Sequence, residues 1–264
     1  MTVLRLGASR AVLELREYFR EGLQVVFTFA LPFLLLLLFT SVFGQGFAGG
    51  SAGAAAYYVP TLTAMGLMAV SFQNLGTAIA AERGDGTLRR LRGMPLPAAA
   101  YFAGKAGMVL ALAVLQTALL VGTGAAGFGM DLPADPRRWL DLAWILLLGT
   151  AACTLLGIAV SSAARTARAA QAVVALPFLL LQFASGVFVP VQALPPWLLN
   201  VGAAFPLRWM AQGLRSVFLP ESAAAAEAGG SWALGTVALV LAAWCAGGSV
   251  LCLLTFRWKG ARDG

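Results

Sequence analysis

Ala30-Leu31-Pro32-Phe33-Leu34-Leu35-Leu36-Leu37-Leu38-Phe39 is the stretch on which the fold turns. It lies within residues 24–43, a run without one charged side chain. About 20 apolar residues cross the hydrocarbon core of a bilayer as a helix. A water-facing bundle has no place for such a run, because its helices alternate apolar and polar faces. Further apolar runs lie near 57–80, 101–127, 139–161, 169–189 and 232–256. The sequence therefore predicts an all-α, polytopic membrane protein with six transmembrane helices. A Gly/Ala-rich, uncharged loop is expected from the end of the first span to about residue 56.

Composition agrees. Of 264 residues, 60% are hydrophobic and 11% charged, against roughly 45–50% and about 25% in soluble domains. That excludes an ordinary soluble enzyme, a disordered chain and a coiled coil. The net charge is +7, but no basic stretch is interleaved with aromatics as a nucleic-acid surface would be. The absence of histidine removes imidazole acid–base chemistry, His-containing triads and most zinc sites. Cys153, Cys245 and Cys252 all lie in apolar runs and read as small buried residues.

The basic residues orient the chain. With the N-terminus in the cytoplasm, fourteen of the eighteen face inward: Arg5, Arg10, Arg16, Arg20, Arg83, Arg89, Arg90, Arg92, Lys105, Arg165, Arg168, Arg257, Lys259 and Arg262. Arg137, Arg138, Arg208 and Arg215 face out. That is a positive-inside distribution with both termini cytoplasmic. Residues 3–23 precede the first span. Leu4, Ala8, Val12, Leu15, Tyr18, Phe19 and Leu23 fall on one side of a helix there, and Arg10, Glu14, Glu17, Arg20 and Glu21 on the other. Such a helix lies in the membrane interface or extends the first span. Ala-Leu-Pro-Phe-Leu-Leu-Leu at 30–36 recurs at 175–181, which reads either as an internal repeat or as coincidence in a Leu-rich chain.

Chemistry is sparse. Neither lysine sits in a Gly-x-x-x-x-Gly-Lys-Ser/Thr loop, and no Gly-x-Ser-x-Gly elbow occurs. No catalytic residue and no metal site are expected. The spans carry no acidic residue away from their ends, which argues against an ion-coupled secondary transporter. That reading, and a non-transporting scaffold, remain the alternatives from the residues alone.

Two segments are informative. In 81–97, Glu82-Arg83-Gly84-Asp85 ends the second span, Gly86-Thr87 provides a break and a helix cap, and Pro95 and Pro97 end a short helix. Leu88 and Leu91 share one face of it among Arg89, Arg90 and Arg92. Two exposed leucines ringed by charge form a docking knob; the plainer reading is a topology-fixing loop. In 184–219, Pro190 and Pro195-Pro196 interrupt helices, and Trp197 and Trp209 suit a membrane boundary. Short helices dipping into the outer leaflet, or an external cap, fit that stretch.

Together these segments resemble the membrane subunit of a bacterial type 2 ATP-binding-cassette (ABC) exporter of the drug-resistance permease kind. The family pattern Glu-Arg-Glu-x-Gly-Thr-Leu-Glu-x-Leu is similar to Glu82-Arg83-Gly84-Asp85-Gly86-Thr87-Leu88-Arg89-Arg90-Leu91, departing at Gly84 and Arg89. A second mark is matched by Gly186 and Pro190, Leu194-Pro195-Pro196-Trp197-Leu198, Pro206-Leu207 and Leu214-Arg215.

The resemblance implies a single permease domain over 1–264 without a nucleotide-binding domain, in the bacterial cytoplasmic membrane. Residues 1–23 would be the interfacial connecting helix, and 82–93 a coupling helix docked on a separate ATPase through Glu82, Arg83, Gly86, Thr87, Leu88, Arg89, Arg90, Leu91 and Arg92. Residues 190–219 would be external re-entrant helices, with Pro190, Pro195, Trp197, Pro206 and Arg215 at the gate. Two ATPase copies, holding ATP and Mg, would drive a permease pair, most simply a homodimer. Gln73, Asn74, Gln182 and Ser185 are candidates to line the path; polar span residues also serve as interhelical hydrogen-bonding groups. A hydrophobic or amphipathic substrate (drug, natural product or lipid) suits spans without strong charge.

Overall fold

The computed structural model describes residues 2–93, 97–162 and 167–255. Among them no strand occurs. Helix α1 (Thr2–Arg20) leads into α2 (Gly22–Phe43). Next come α3 (Gly50–Met68), a π-helical segment (Ala69–Asn74) and α4 (Leu75–Gly84), which run on as one rod. A short α5 (Thr87–Arg92) is followed by α6 (Ala98–Phe128), α7 (Pro136–Ser161) and α8 (Ala167–Ala184). Two short helices, α9 (Pro196–Ala203) and α10 (Pro206–Phe218), precede α11 (Leu234–Thr255). Among the described residues, five helical segments are long and apolar enough to cross a membrane: α2, the α3–α4 rod, α6, α7 and α11. The apolar part of α8, Gln171–Ala184, is shorter. The chain is an all-α, polytopic membrane protein.

The α3–α4 rod is the post of the bundle. It packs against α2, α6, α7, α8 and α10, and α3 is buried without interruption from Tyr57 to Met68. By contrast α2 buries only Thr28, Pro32, Leu36 and Thr40, one residue per turn. Phe27, Leu31, Leu34 and Leu38 stay exposed on α2, as do Leu176, Leu179, Leu180 and Phe183 on α8. Apolar surface of that extent requires lipid or another chain over it.

Several expectations change. The stretch expected as a loop to residue 56 is already helical from Gly50. Its alanines, the best helix formers, extend the second span by about two turns. Prolines in 190–219 start helices more than they break them: Pro196 opens α9 and Pro206 opens α10, where the missing N–H costs nothing. Helix α1 packs on α6 through Gly7, Arg10, Ala11 and Glu14, and of its apolar stripe Tyr18 and Leu15 join the shared cluster. Leu4, Val12 and Phe19 remain exposed, the arrangement an interfacial helix needs.

Helix α7 meets the π segment backbone to backbone. A Cβ on Gly157 would lie 2.8 Å from the Phe72 carbonyl oxygen and 2.9 Å from that of Ser71. Gly122 of α6 faces open space. Gly157→Ala should therefore lower the thermal unfolding midpoint in detergent, by an overpacking cost of about 1–3 kcal/mol. Gly122→Ala should leave the midpoint unchanged or raise it, since alanine is favoured in helices by roughly 1 kcal/mol.

Candidate functional site

Arginines collect at one end of the bundle, where α4 turns into α5. Gly86 makes the turn at φ +80°, a conformation open to glycine and costly for other residues. Gly86 of the expected Gly86-Thr87 break is the N-cap of α5, without a side-chain cap bond, and the Asp85 Oδ1 just before it accepts the Thr87 backbone N–H at 2.9 Å.

The leucines of α5 do not form an exposed knob. Leu88 is wholly buried and Leu91 nearly so, in one apolar cluster with Tyr18, Ile79, Tyr101 and Met108. A six-residue helix has little stability of its own. Burying each leucine is favourable by about 1.5–3 kcal/mol, so the helix lays its apolar face on its own chain. Arg89, Arg90 and Asp85 are exposed instead, with an Arg90 Nη donating to the Asp85 carbonyl at 3.3 Å. The Arg92 side chain, residues 94–96 (with Pro95), the side chains of Arg165 and Arg168, and Arg257, Lys259 and Arg262 lie outside the described residues.

Glu82 and Arg83 turn inward. Arg83 donates to the Ser161 carbonyl at 2.7 Å, capping the C-terminal end of α7, where a cation is favoured. Glu82 accepts from Lys105 Nζ at 2.5 Å and from the Tyr101 hydroxyl at 2.7 Å. Lys105 also reaches Glu14 of α1 at 2.6 Å, and Glu14 pairs with Arg10 at 2.6 Å. Sequence reasoning counted Lys105 only as an inward charge. The available signal was its position, one ammonium in the apolar Gly104-Lys105-Ala106-Gly107 run.

The four candidate path residues divide into two levels. Gln73 and Asn74 are half-buried in the π segment, and Asn74 donates to Thr28 of α2 at 3.1 Å. Gln182 and Ser185 are fully buried near the other end of α8. Val174 of α8 packs beside Gly76 of α4, so eight residues separate that contact from Gln182, about 12 Å along the helix. Among the described residues, neither amide atom of Gln182 nor the Ser185 hydroxyl has a hydrogen-bond partner. Each such group costs roughly 1–3 kcal/mol, and π-helical turns recur at functional sites.

At the far end, α10 is buried on nearly every side between α3, α7 and α11, although it carries Arg208, Gln212, Arg215 and Ser216. The connection after it meets those groups. Arg215 binds Glu227 bidentately at 2.6 and 2.9 Å and lies 5.4 Å from the Tyr57 ring centroid. Gln212 donates to the Ser231 and Trp232 carbonyls at 3.2 and 3.1 Å. Arg138 donates to the Val217 and Leu219 carbonyls at 3.1 and 3.0 Å, and Arg208 to that of Leu199. Burial lowers the Arg208 pKa; at Arg215 burial acts the same way, but Tyr57 and Glu227 outweigh it and raise the value. Of the other expected gate residues, Pro206 is buried while Pro195 and Trp197 are exposed and Pro190 is half-buried. Glu227, which the sequence reading passed over, is the partner that holds Arg215.

The chain is thus a multi-pass helical membrane protein with a basic turn at one end and a strapped short helix at the other. The comparisons identify its family. The model for the ABC-2 type transporter matches residues 11–219, from α1 through α10. The chain belongs to that family, which supplies the transmembrane subunit of an ABC transporter and implies an ABC ATPase partner. It is also similar to the protein named "Putative transport permease YvfS" of Bacillus subtilis strain 168, at 22% identity over 198 residues, 75% of this chain and 79% of the relative.

Glu227→Ala would strand the fully buried Arg215 charge. The expected cost is about 3–5 kcal/mol, read as a fall in the unfolding midpoint of the detergent-purified protein. The Arg215→Met, Glu227→Leu double variant should recover most of that loss.

Proposed function

We propose that this chain is the permease of an ATP-driven exporter, working as a homodimer with two copies of a separate ATPase that binds ATP and Mg. In this reading α5 is the coupling helix, α1 the interfacial connecting helix, and α9–α10 the re-entrant helices that close the path from outside. The basic end then faces the cytoplasm, and α8 counts as the fifth of six spans, which returns both termini to that side. The bias of arginines toward that end supports the orientation.

The observation that carries the docking role is the two-faced character of α5. Its leucines are fixed in the chain's own core, while Arg89 and Arg90 face out. A rigid helix presenting cations at the basic end fits an acidic groove on the partner better than an apolar one. Steering by such charges is strong at low salt and screened within about 8 Å at physiological ionic strength. The side chains of Gln182 and Ser185, buried without a hydrogen-bond partner among the described residues, support a path that is shut at this level and gains polar partners on opening. The scarcity of charge within the spans supports a hydrophobic or amphipathic substrate.

Co-purification with the ATPase in detergent tests the docking. Arg89→Glu with Arg90→Glu should cut recovery of the ATPase at least tenfold, leave the permease's unfolding midpoint unchanged, and make wild-type recovery fall with added salt. Leu88→Asp should lower the midpoint itself. An ATPase retained by the double glutamate variant would remove the docking assignment. Inverted vesicles given Mg-ATP and a fluorescent amphipathic dye test direction: export requires dye uptake that stops without ATP.

A further inference from the structure

Lys105 does more than its count among inward charges requires. A lysine that only fixes topology sits in water. This one is 2% exposed and lies between two carboxylates from different parts of the chain, Glu14 of α1 and Glu82 at the end of α4. Arg10 completes a set of two cations and two anions, and the Tyr101 hydroxyl fills the second oxygen of Glu82. An ammonium has three donors in a tetrahedral arrangement, so one side chain can serve both carboxylates at once. Replacing such a cluster with apolar residues is commonly neutral or stabilising, whereas removing one partner is costly. Its value lies in fixing one arrangement of the helices that carry it.

Beneath the charges the same helices share apolar packing. Tyr18 of α1, Leu88 and Leu91 of α5, and Tyr101 and Met108 of α6 belong to one buried cluster. Helix α1 also lies close on α6: a Cβ at Gly107 would sit 3.0 Å from the Cβ of Ala11, and one at Gly7 2.9 Å from that of Ala103. The turn from Glu82 to α5 is only Arg83-Gly84-Asp85-Gly86. A displacement of α5 therefore reaches Glu82 directly. It must carry Lys105 and Glu14 along or part the half-buried Glu82 carboxylate from its ammonium.

We infer that Lys105 is a positioning residue that binds α1, the α4–α5 turn and the base of α6 into one rigid unit, so that α1 moves with the docking helix. The inference rests on the assignment of α5 as the ATPase-docking helix. It makes α1 part of the transmission and not an independent paddle on the membrane surface.

Hydrogen exchange on the permease alone, in nanodiscs, tests the clamp without any ATPase. Lys105→Met should speed amide exchange at least tenfold in residues 2–20 and 82–92 together, and Lys105→Arg should restore most of the protection. Loosening confined to one of the two segments, or none, overturns the inference. The neutral Glu14→Gln, Lys105→Met, Glu82→Gln variant guards against simple misfolding; it should keep the wild-type unfolding midpoint yet still lose the shared protection.

In the assembled complex, Lys105→Met should retain the ATPase on purification but lower its Mg-ATP turnover at least fivefold. Unchanged turnover overturns the inference. A chain with Cys153, Cys245 and Cys252 replaced by serine and carrying Ala11→Cys and Gly107→Cys should turn over equally well oxidised and reduced. Turnover that stops on oxidation and returns with reductant shows that α1 must slide on α6, which also overturns it. If wild type brings down no ATPase, the exporter reading fails, and the exchange experiment decides the clamp by itself.

Discussion

A single ammonium in an apolar setting sets the terms at the basic end of this bundle. A buried ammonium needs carboxylates beside it, and both of those at Lys105 come from earlier in the chain: Glu14 ninety-one residues before it and Glu82 twenty-three before it. Meeting that demand brings α1 across the base of α6 and ends α4 beside it. The small residues Gly7, Ala11, Ala103 and Gly107 then let the two helices close to backbone distance. Helix α5, too short to persist alone, settles on the apolar surface that this approach creates. The exposed arginines of α5 are thus a by-product of where its leucines had to go.

The far end repeats the logic with different parts. Helix α10 is polar on one side yet buried, and the connection 219–233 supplies the missing partners: a carboxylate for Arg215 and main-chain carbonyls for Gln212. Among the described residues the side chains of Gln182 and Ser185 have no hydrogen-bond partner, and the rod changes from α to π winding at Ala69–Asn74.

The class of fold was legible because membrane burial writes itself locally. Twenty uncharged residues in a row mean one thing whatever surrounds them, and the family resemblance rested on Glu82–Leu91 and on the prolines of 190–206, which are also local. What failed was direction. Leu88 and Leu91 were correctly placed on one helical face, but periodicity says only that a face exists, not whether it meets a partner or the chain's own core. The ion pairs failed for a related reason. Lys105 and Glu227 find their mates through tertiary approach, and neither spacing nor composition marks Glu14 or Arg215 as the other half. The alanines of 50–56 were read by their lack of charge as a loop, although their intrinsic preference is helical.

The π segment has a consequence of phase. A helix advances 100° per residue, so the winding within Ala69–Asn74 determines the compass bearing of everything beyond it. Rewinding those six residues as α, with none removed, would turn α4 by on the order of 100°, because a π turn takes up about one residue more than an α turn. Glu82 would then point away from Lys105, and Leu88 away from Tyr18, with every side chain on that stretch still chemically intact. The register of six residues in the middle of the second span is what aims the turn at its end.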